Sequence, residues 1–164
     1  MKHLLFVLLL FPLFSQAQKA HPVRQVNQRA TANRVVVALD QENGFGEYQL
    51  GYAIAHFPQL ELFLDEGENK IYKHPYEQLA AYGVPVIGAI YKFTNGKLAS
   101  ISFDVEGQVN SDKLKQELVA KYGPAKLSSP PLHGLQWQGK QVMLSFDELT
   151  PENPITEISF FLLP

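Results

Sequence analysis

Residues 84–105 turn back on themselves, and that reversal limits the possible folds more than any other stretch. Val84 to Phe93 is largely apolar, Thr94-Asn95-Gly96-Lys97 reads as a turn, and Leu98 to Val105 is the return. Asn-Gly suits a type I′ turn, because both central residues take positive φ and the turn then matches the twist of the paired strands. In the return, Ala99, Ile101, Phe103 and Val105 alternate with Ser100, Ser102 and Asp104, so the first set is expected in a core and the second opposite. A hairpin with one apolar face is marginal alone and calls for more strands beside it and a layer above it.

The rest of the chain supplies candidates for both. Arg34 to Leu39 (RVVVAL) is short and β-branched and reads as a strand, followed by a turn-rich acidic loop at 40–46. Leu50 to Phe57 suits a short helix stopped by Pro58, whose ring clashes with the preceding turn. Leu60, Leu62 and Leu64 alternate as in a strand, and Asp65-Glu66-Gly67-Glu68-Asn69 turns the chain into another around Lys70 to Lys73. A helix from Asn110 or Ser111 carries an apolar stripe of Leu114, Leu118, Val119 and Tyr122, and Gly123-Pro124 ends it. A second hairpin follows: Leu135 to Trp137, a turn at Gln138-Gly139, and Gln141 to Phe146. Glu157 to Leu163 closes the chain as a strand, with Ile158, Phe160 and Leu162 alternating. Strands come in runs, which predicts an α+β fold: an antiparallel sheet of about seven to nine strands with two or three helices on one face.

Two stretches resemble each other. Glu77 to Gly83 matches Glu117 to Gly123 at Glu, Ala, Tyr and Gly, and Gly96 to Asp104 matches Gly139 to Asp147 from Gly-Lys to Ser-Phe-Asp. A duplicated helix–hairpin unit would explain this, since one unit cannot bury its own apolar face and two side by side can. The alternative is that helix ends and tight hairpins independently favour the same residues.

The N-terminus is read as a targeting segment. Met1-Lys2-His3 is a short basic start, Leu4 to Phe14 is almost wholly apolar, and Ser15-Gln16-Ala17 sets small residues at the positions a signal peptidase requires. The expectation is export, with cleavage near Ala17, to the periplasm or outside the cell. Residues 18–34 then form a leader with four basic and no acidic side chains (Lys19, Arg24, Arg29 and Arg34), and 35–164 a single domain with nine basic and sixteen acidic residues, a net charge of −7. The leader is either a solvated arm or a tether for an anionic surface. No second apolar run reaches membrane-spanning length.

Composition removes several chemistries. There are no cysteines, hence no disulfide framework, thiol nucleophile or thiolate zinc site. The acidic domain argues against a nucleic-acid partner. His21, His56, His74 and His133 show no helical metal-binding spacing, so no metal is expected. There is no phosphate-binding glycine loop, no Gly-x-Ser-x-Gly elbow and no cofactor motif, and no catalytic residue is assigned. Acids at Asp40 and Glu42, and at Asp65, Glu66 and Glu68, suggest at most a small envelope hydrolase aided by His74, or polar turns. Trp137, flanked by Gln136 and Gln138 beside a turn, is either half exposed and suited to recognition or packed on the helix at 111–122.

Tyr48-Gln49-Leu50-Gly51, the stretch Leu60 to Lys73, the Asn95 to Leu98 turn, Leu118 to Pro124 and Trp137-x-Gly139-Lys140 together resemble small exported bacterial proteins of unknown function. The outline is also similar to the exported β-lactamase-inhibitor fold, at the level of fold alone. Neither resemblance implies an activity. The expectation is a non-enzymatic exported domain that binds a protein, glycan or envelope component, with Trp137, Asp65, Glu66, Glu68 and His74 as candidate contacts. The alternative is an inhibitor of a secreted enzyme, acting through Trp137 and the loop at 147–154.

Overall fold

The computed structural model describes residues 37–75, 79–128 and 134–164. The signal segment, the basic leader, the first three residues of the strand expected at 34–39, Glu77, Gln78 and His133 lie outside the described residues. In chain order the described elements begin with α1 (37–42), β1 (Gly44–Phe45), β2 (Tyr48–Gln49) and a 3-10 turn (Ile54–His56). Next come β3 (Glu61–Glu66), β4 (Asn69–Lys73), β5 (Ala80–Ala81), β6 (Val84–Pro85), β7 (Gly88–Thr94) and β8 (Lys97–Glu106). The helix α2 (Gln108–Tyr122) leads to β9 (Lys126–Leu127), β10 (Gly134–Gln138), β11 (Val142–Asp147) and β12 (Ile155–Leu162).

The fold is α+β. Eight strands form one antiparallel sheet in the order β3-β4-β7-β8-β12-β11-β10-β9, and two small hairpins, β1–β2 and β5–β6, stand apart from it. The turn between β7 and β8 has positive φ at both Asn95 (51°) and Gly96 (75°), as the dipeptide requires. Ile101, Phe103 and Val105 are buried as expected, but Ala99 is not: the register shifts at Lys92–Phe93, and Leu98 takes the core position instead.

β12 is the last strand in sequence and sits in the middle of the sheet. It pairs with β8 over seven residue pairs and with β11 over six. Phe103, Ile158 and Phe146 are level across the three strands, as are Ile101, Phe160 and Leu144, and all six are buried. These rows form the core with Leu114, Leu118 and Tyr122 of α2, which lies against β8 and β6. Val119, expected in the same stripe, is partly exposed. The helix also starts earlier than expected, behind Gly107, without a side-chain cap. Ser111 is buried instead and hydrogen-bonds Thr156 of β12 at 2.6 Å.

The sequence repeat has a physical meaning different from a duplicated unit. β8 and β11 run parallel on either side of β12, with β7 and β10 on their outer sides. A half-turn about the strand direction superposes the two hairpins only by turning the core face of one outward, whereas Phe103 and Phe146 both face the core. Residues 80–85, moreover, make a small hairpin where a helix would be needed. What the likeness does is bring matching strand ends level: Ser102 and Ser145 both face Ser159. Its Tyr-Gly elements also meet, since the Tyr82 and Tyr122 hydroxyls hydrogen-bond at 3.0 Å.

The stretch at 37–39 is helical, a correction to the strand expected there. β-branched residues favour strands only weakly, and distant contacts decide here. Asp40 accepts hydrogen bonds from the amides of Lys140 (2.8 Å), Gln141 (2.9 Å) and Val142 (3.2 Å) in the β10–β11 turn. Glu42 takes Lys121 Nζ at 2.6 Å and the Tyr122 hydroxyl. Gly139 is required for this approach, because a Cβ there would lie 2.3 Å from Asp40 Oδ1. Burial works to raise the Asp40 pKa, but the Gln141, Lys140 and Val142 amides outweigh it and hold the carboxyl below its ordinary value.

A lowered pKa in the fold means stability that is present above the ordinary carboxylate value of about 3.9 and lost as pH falls through the lowered one. Asp40→Ala should therefore lower stability by about 1–2 kcal/mol at pH 7 in urea unfolding, and the difference from wild type should shrink below pH 3.

Candidate functional site

One face of the sheet is covered by α2, α1, the β1–β2 hairpin and the segment from Leu50 to Leu60, whose Leu39, Tyr48, Leu50 and Phe57 join the core. On the other face, strand alternation sets Ser100, Ser102 and Asp104 of β8 beside Phe161, Ser159 and Glu157 of β12, and these beside Met143, Ser145 and Asp147 of β11. Serines occupy its middle: Ser102 and Ser159 hydroxyls hydrogen-bond at 2.6 Å, and Ser159 also donates to Glu157 at 2.9 Å. At one end of the strands, Asp104, Glu157 and Asp147 form a row of carboxylates across three adjacent strands.

Toward the β3 side the same face becomes apolar and basic. Phe63 is 61 % exposed, Leu64 42 % and Ile90 39 %, and Lys73 Nζ lies 3.6 Å from the centre of the Phe63 ring. A bulge in β3 between Leu62 and Leu64 breaks the alternation there. Beside this patch, a notch of about 300 Å³ is lined by Lys73, His74, Ile87, Gly88, Ile90 and Asp104, among others. Its origin lies in the pairing. β4 pairs with β7 only from Tyr91 to Thr94, whereas Gly88, Ala89 and Ile90 pair with β8 alone. The chain leaves β4 at Lys73, which the register sets opposite Ile90, so Gly88 and Ala89 have no strand on that side among the described residues. Burial, reinforced by Glu157, pushes the Asp104 carboxyl above its ordinary pKa.

The expected contacts are scattered over this framework. His74 lines the notch. Asp65 caps the β3–β4 turn, accepting from Gly67 N at 2.9 Å and pairing with Lys70 at 2.6 Å. Glu66 and Glu68 are exposed at the same turn. Trp137 is buried at 1 % exposure, donates Nε1–H to the Gly123 carbonyl at 2.8 Å and packs on Tyr122. It is therefore part of the core behind α2, which corrects its place among the contacts and leaves an inhibitor without that anchor. The acid clusters do not converge either. Asp40 and Glu42 are committed to the β10–β11 turn and α2, while Asp65 and Glu66 sit on β3, five interstrand spacings from β11, or about 24 Å in a flat sheet. Paired glycosidase carboxylates stand roughly 5–9.5 Å apart.

Sequence reading missed Lys73, Ile90 and Asp104 as a group. The pattern showed that Asp104 faced away from the core, but only the register brings it beside Gly88 and level with Glu157. Among the described residues no group of three or more His, Cys, Asp or Glu could hold a metal, and no helix is long and apolar enough to cross a membrane.

No protein-family model matches the chain, and no curated protein matches it. Its structure is similar in outline to the crystal structure of a DUF4309 family protein (YjgB) from Bacillus subtilis subsp. subtilis str. 168. The identity is 11 %, over 82 % of this chain and 99 % of that one, with a TM-score of 0.43. A match that loose transfers neither fold nor activity.

The raised Asp104 pKa carries a sign. A carboxyl easier to protonate in the fold favours stability below its ordinary pKa, and that contribution is lost as pH rises through the raised value. Asp104→Asn should raise stability by about 0.5 kcal/mol at pH 7, the scale of a like-charge pair across strands, with no gain near pH 3. Thermal melts at both pH values read this directly.

Proposed function

We propose that this is an exported, non-enzymatic binding domain that takes its partner, a protein, glycan or envelope component, on the sheet face that no described element covers. The observation that carries the reading is the patch at β3, β4 and β7, where Phe63, Leu64, Ile87 and Ile90 stay exposed beside Lys73 and the notch. Exposed apolar side chains grouped around a concavity, with a few polar groups, are the usual form of a binding site. The committed partners of Asp40, Glu42 and Asp65 favour binding over catalysis, because these acids cap turns or hold α1 in place. Export rests on the N-terminal targeting pattern.

The test is retention of a partner from envelope extract by the immobilised protein, compared with two variants. Phe63→Ser combined with Ile90→Ser should abolish retention. Val109→Ser, which alters an exposed residue of α2 on the opposite side, should leave it intact. Equal retention by all three proteins would remove this face as the binding surface.

A further inference from the structure

Two Asn-Gly dipeptides occur in the chain, Asn43-Gly44 and Asn95-Gly96, and the fold treats them in opposite ways. Both asparagines have positive φ, 46° and 51°, and so do the glycines that follow them, at 135° and 75°. Asn95 sits at the tip of the β7–β8 hairpin, where it and Gly96 are both exposed. Its side chain makes no hydrogen bond among the described residues. Glu68 accepts the Asn95 amide at 2.8 Å and the Gly96 carbonyl accepts from Ile54 at 3.4 Å, but no described backbone group accepts the Gly96 amide. A Cβ at Gly96 would meet nothing within 4 Å, so this side of the turn is open. Asn43 is tied down instead. Its Nδ2 donates to the Leu50 carbonyl at 3.1 Å, its own carbonyl accepts the Leu50 amide at 2.9 Å, and its Oδ1 is shut off from solvent. Gly44 is buried, with its Cβ position 2.2 Å from the Tyr48 carbonyl oxygen.

We propose that Asn95 is a site of spontaneous covalent modification by water, its side-chain amide exchanged for a carboxylate through a ring closed by Gly96, while the fold keeps Asn43 intact. In the first step the Gly96 nitrogen gives up its proton and attacks Asn95 Cγ. The new N–Cγ bond closes a cyclic imide, the Cγ–Nδ2 bond breaks, and Nδ2 leaves as ammonia with the proton from Gly96. Water then opens the ring. Cleavage between Cγ and the Gly96 nitrogen leaves aspartate at 95. Cleavage between the Asn95 carbonyl carbon and that nitrogen leaves isoaspartate, whose main chain runs through Cβ and Cγ. Glycine favours the attack, because it has no Cβ to crowd the nitrogen or to restrict the backbone. At Asn43 the same step would break the bond from Nδ2 to Leu50 and turn a side chain that has no open space around it. The two products at Asn95 differ in consequence. Asp-Gly is accepted in a type I′ turn as Asn-Gly is, so the aspartate form keeps the hairpin and gains a negative charge beside Glu68. Isoaspartate lengthens the main chain of the turn, and the bonds to Glu68 and Ile54 depend on its present length.

The folded protein, incubated in buffer at mildly alkaline pH to favour loss of the amide proton, provides the test. Mass spectrometry follows the peptides that contain the two dipeptides, and an isoaspartate-specific methyltransferase marks that product. The expected result is conversion at Asn95 about tenfold or more faster than at Asn43, the rate ratio that one hydrogen bond sustains. In urea, where the fold is lost, the two rates should come together. Asn95→Asp should leave the amide signals of Gly51, Ile54 and Leu98, which bond at the base of this hairpin, in place in a two-dimensional NMR spectrum. The isoaspartate form, separated by chromatography, should shift them. Equal or faster conversion at Asn43 in the folded protein would overturn the proposal, as would a ratio that persists in urea. So would an Asn95 that stays intact while the unfolded chain converts.

Discussion

The insertion of β12 between β8 and β11 is the constraint on which everything else depends. Before it docks, β7–β8 and β10–β11 are separate hairpins, each with an apolar face it cannot bury alone. β12 joins them with pairings to residues some fifty positions away in β8 and closer ones in β11. The step closes a long loop, so its entropic cost comes before its return in buried surface. That return is large: Ile158 and Phe160 complete two aromatic and aliphatic rows with Phe103, Phe146, Ile101 and Leu144. Thr156 joins β12 to α2 through Ser111, a buried polar pair in which one hydroxyl donates to the other.

From that seam the two faces acquire different characters. The covered face is closed by α2 and by α1, and α1 is held by single carboxylates acting far along the chain. Asp40 reaches the turn at 140–142 and Glu42 the end of α2. The face that no described element covers keeps serines in the middle, where the Ser102 and Ser159 hydroxyls hydrogen-bond each other. Charge and apolar surface are pushed outward, the acids to one end of β8, β12 and β11, the exposed aromatic and aliphatic side chains to the β3 side. The notch lies where these regions meet, and it exists because β4 is shorter than β7.

The elements with local causes were legible in the sequence. Asn95-Gly96 announced its hairpin because φ is positive at both residues, and Leu114, Leu118 and Tyr122 announced α2 because they share one helical face. Elements with distant causes were not legible. The helix expected over Leu50 to Phe57 shrinks to a 3-10 turn at Ile54–His56, because Gly51, Tyr52 and Ala53 bond the start of β8 instead. The sequence 37–39 reads as strand locally and is helical because Asp40 and Glu42 have partners about eighty and a hundred residues away. Ala99 loses its core position to a bulge that no alternation reveals. For Trp137 the sequence left two readings, half exposed beside a turn or packed on α2, and the second holds: its ring is buried and Gly123 accepts its Nε1–H. The candidate site was the least visible part, since Lys73, Gly88 and Asp104 come from three strands and meet only through register.

Residue-resolved amide hydrogen exchange of the free protein tests the central claim, a sheet seamed by β12 with β7 left partly unpaired. The structure predicts the slowest exchange in β8 and β12 at the rows holding Phe103 and Ile158, and protection along Tyr91–Thr94 that falls away at Ala89, whose amide points away from β8 to the side where β4 no longer pairs. Uniform protection from Gly88 to Thr94, or a β12 that exchanges as fast as the terminal strand β9, would contradict it.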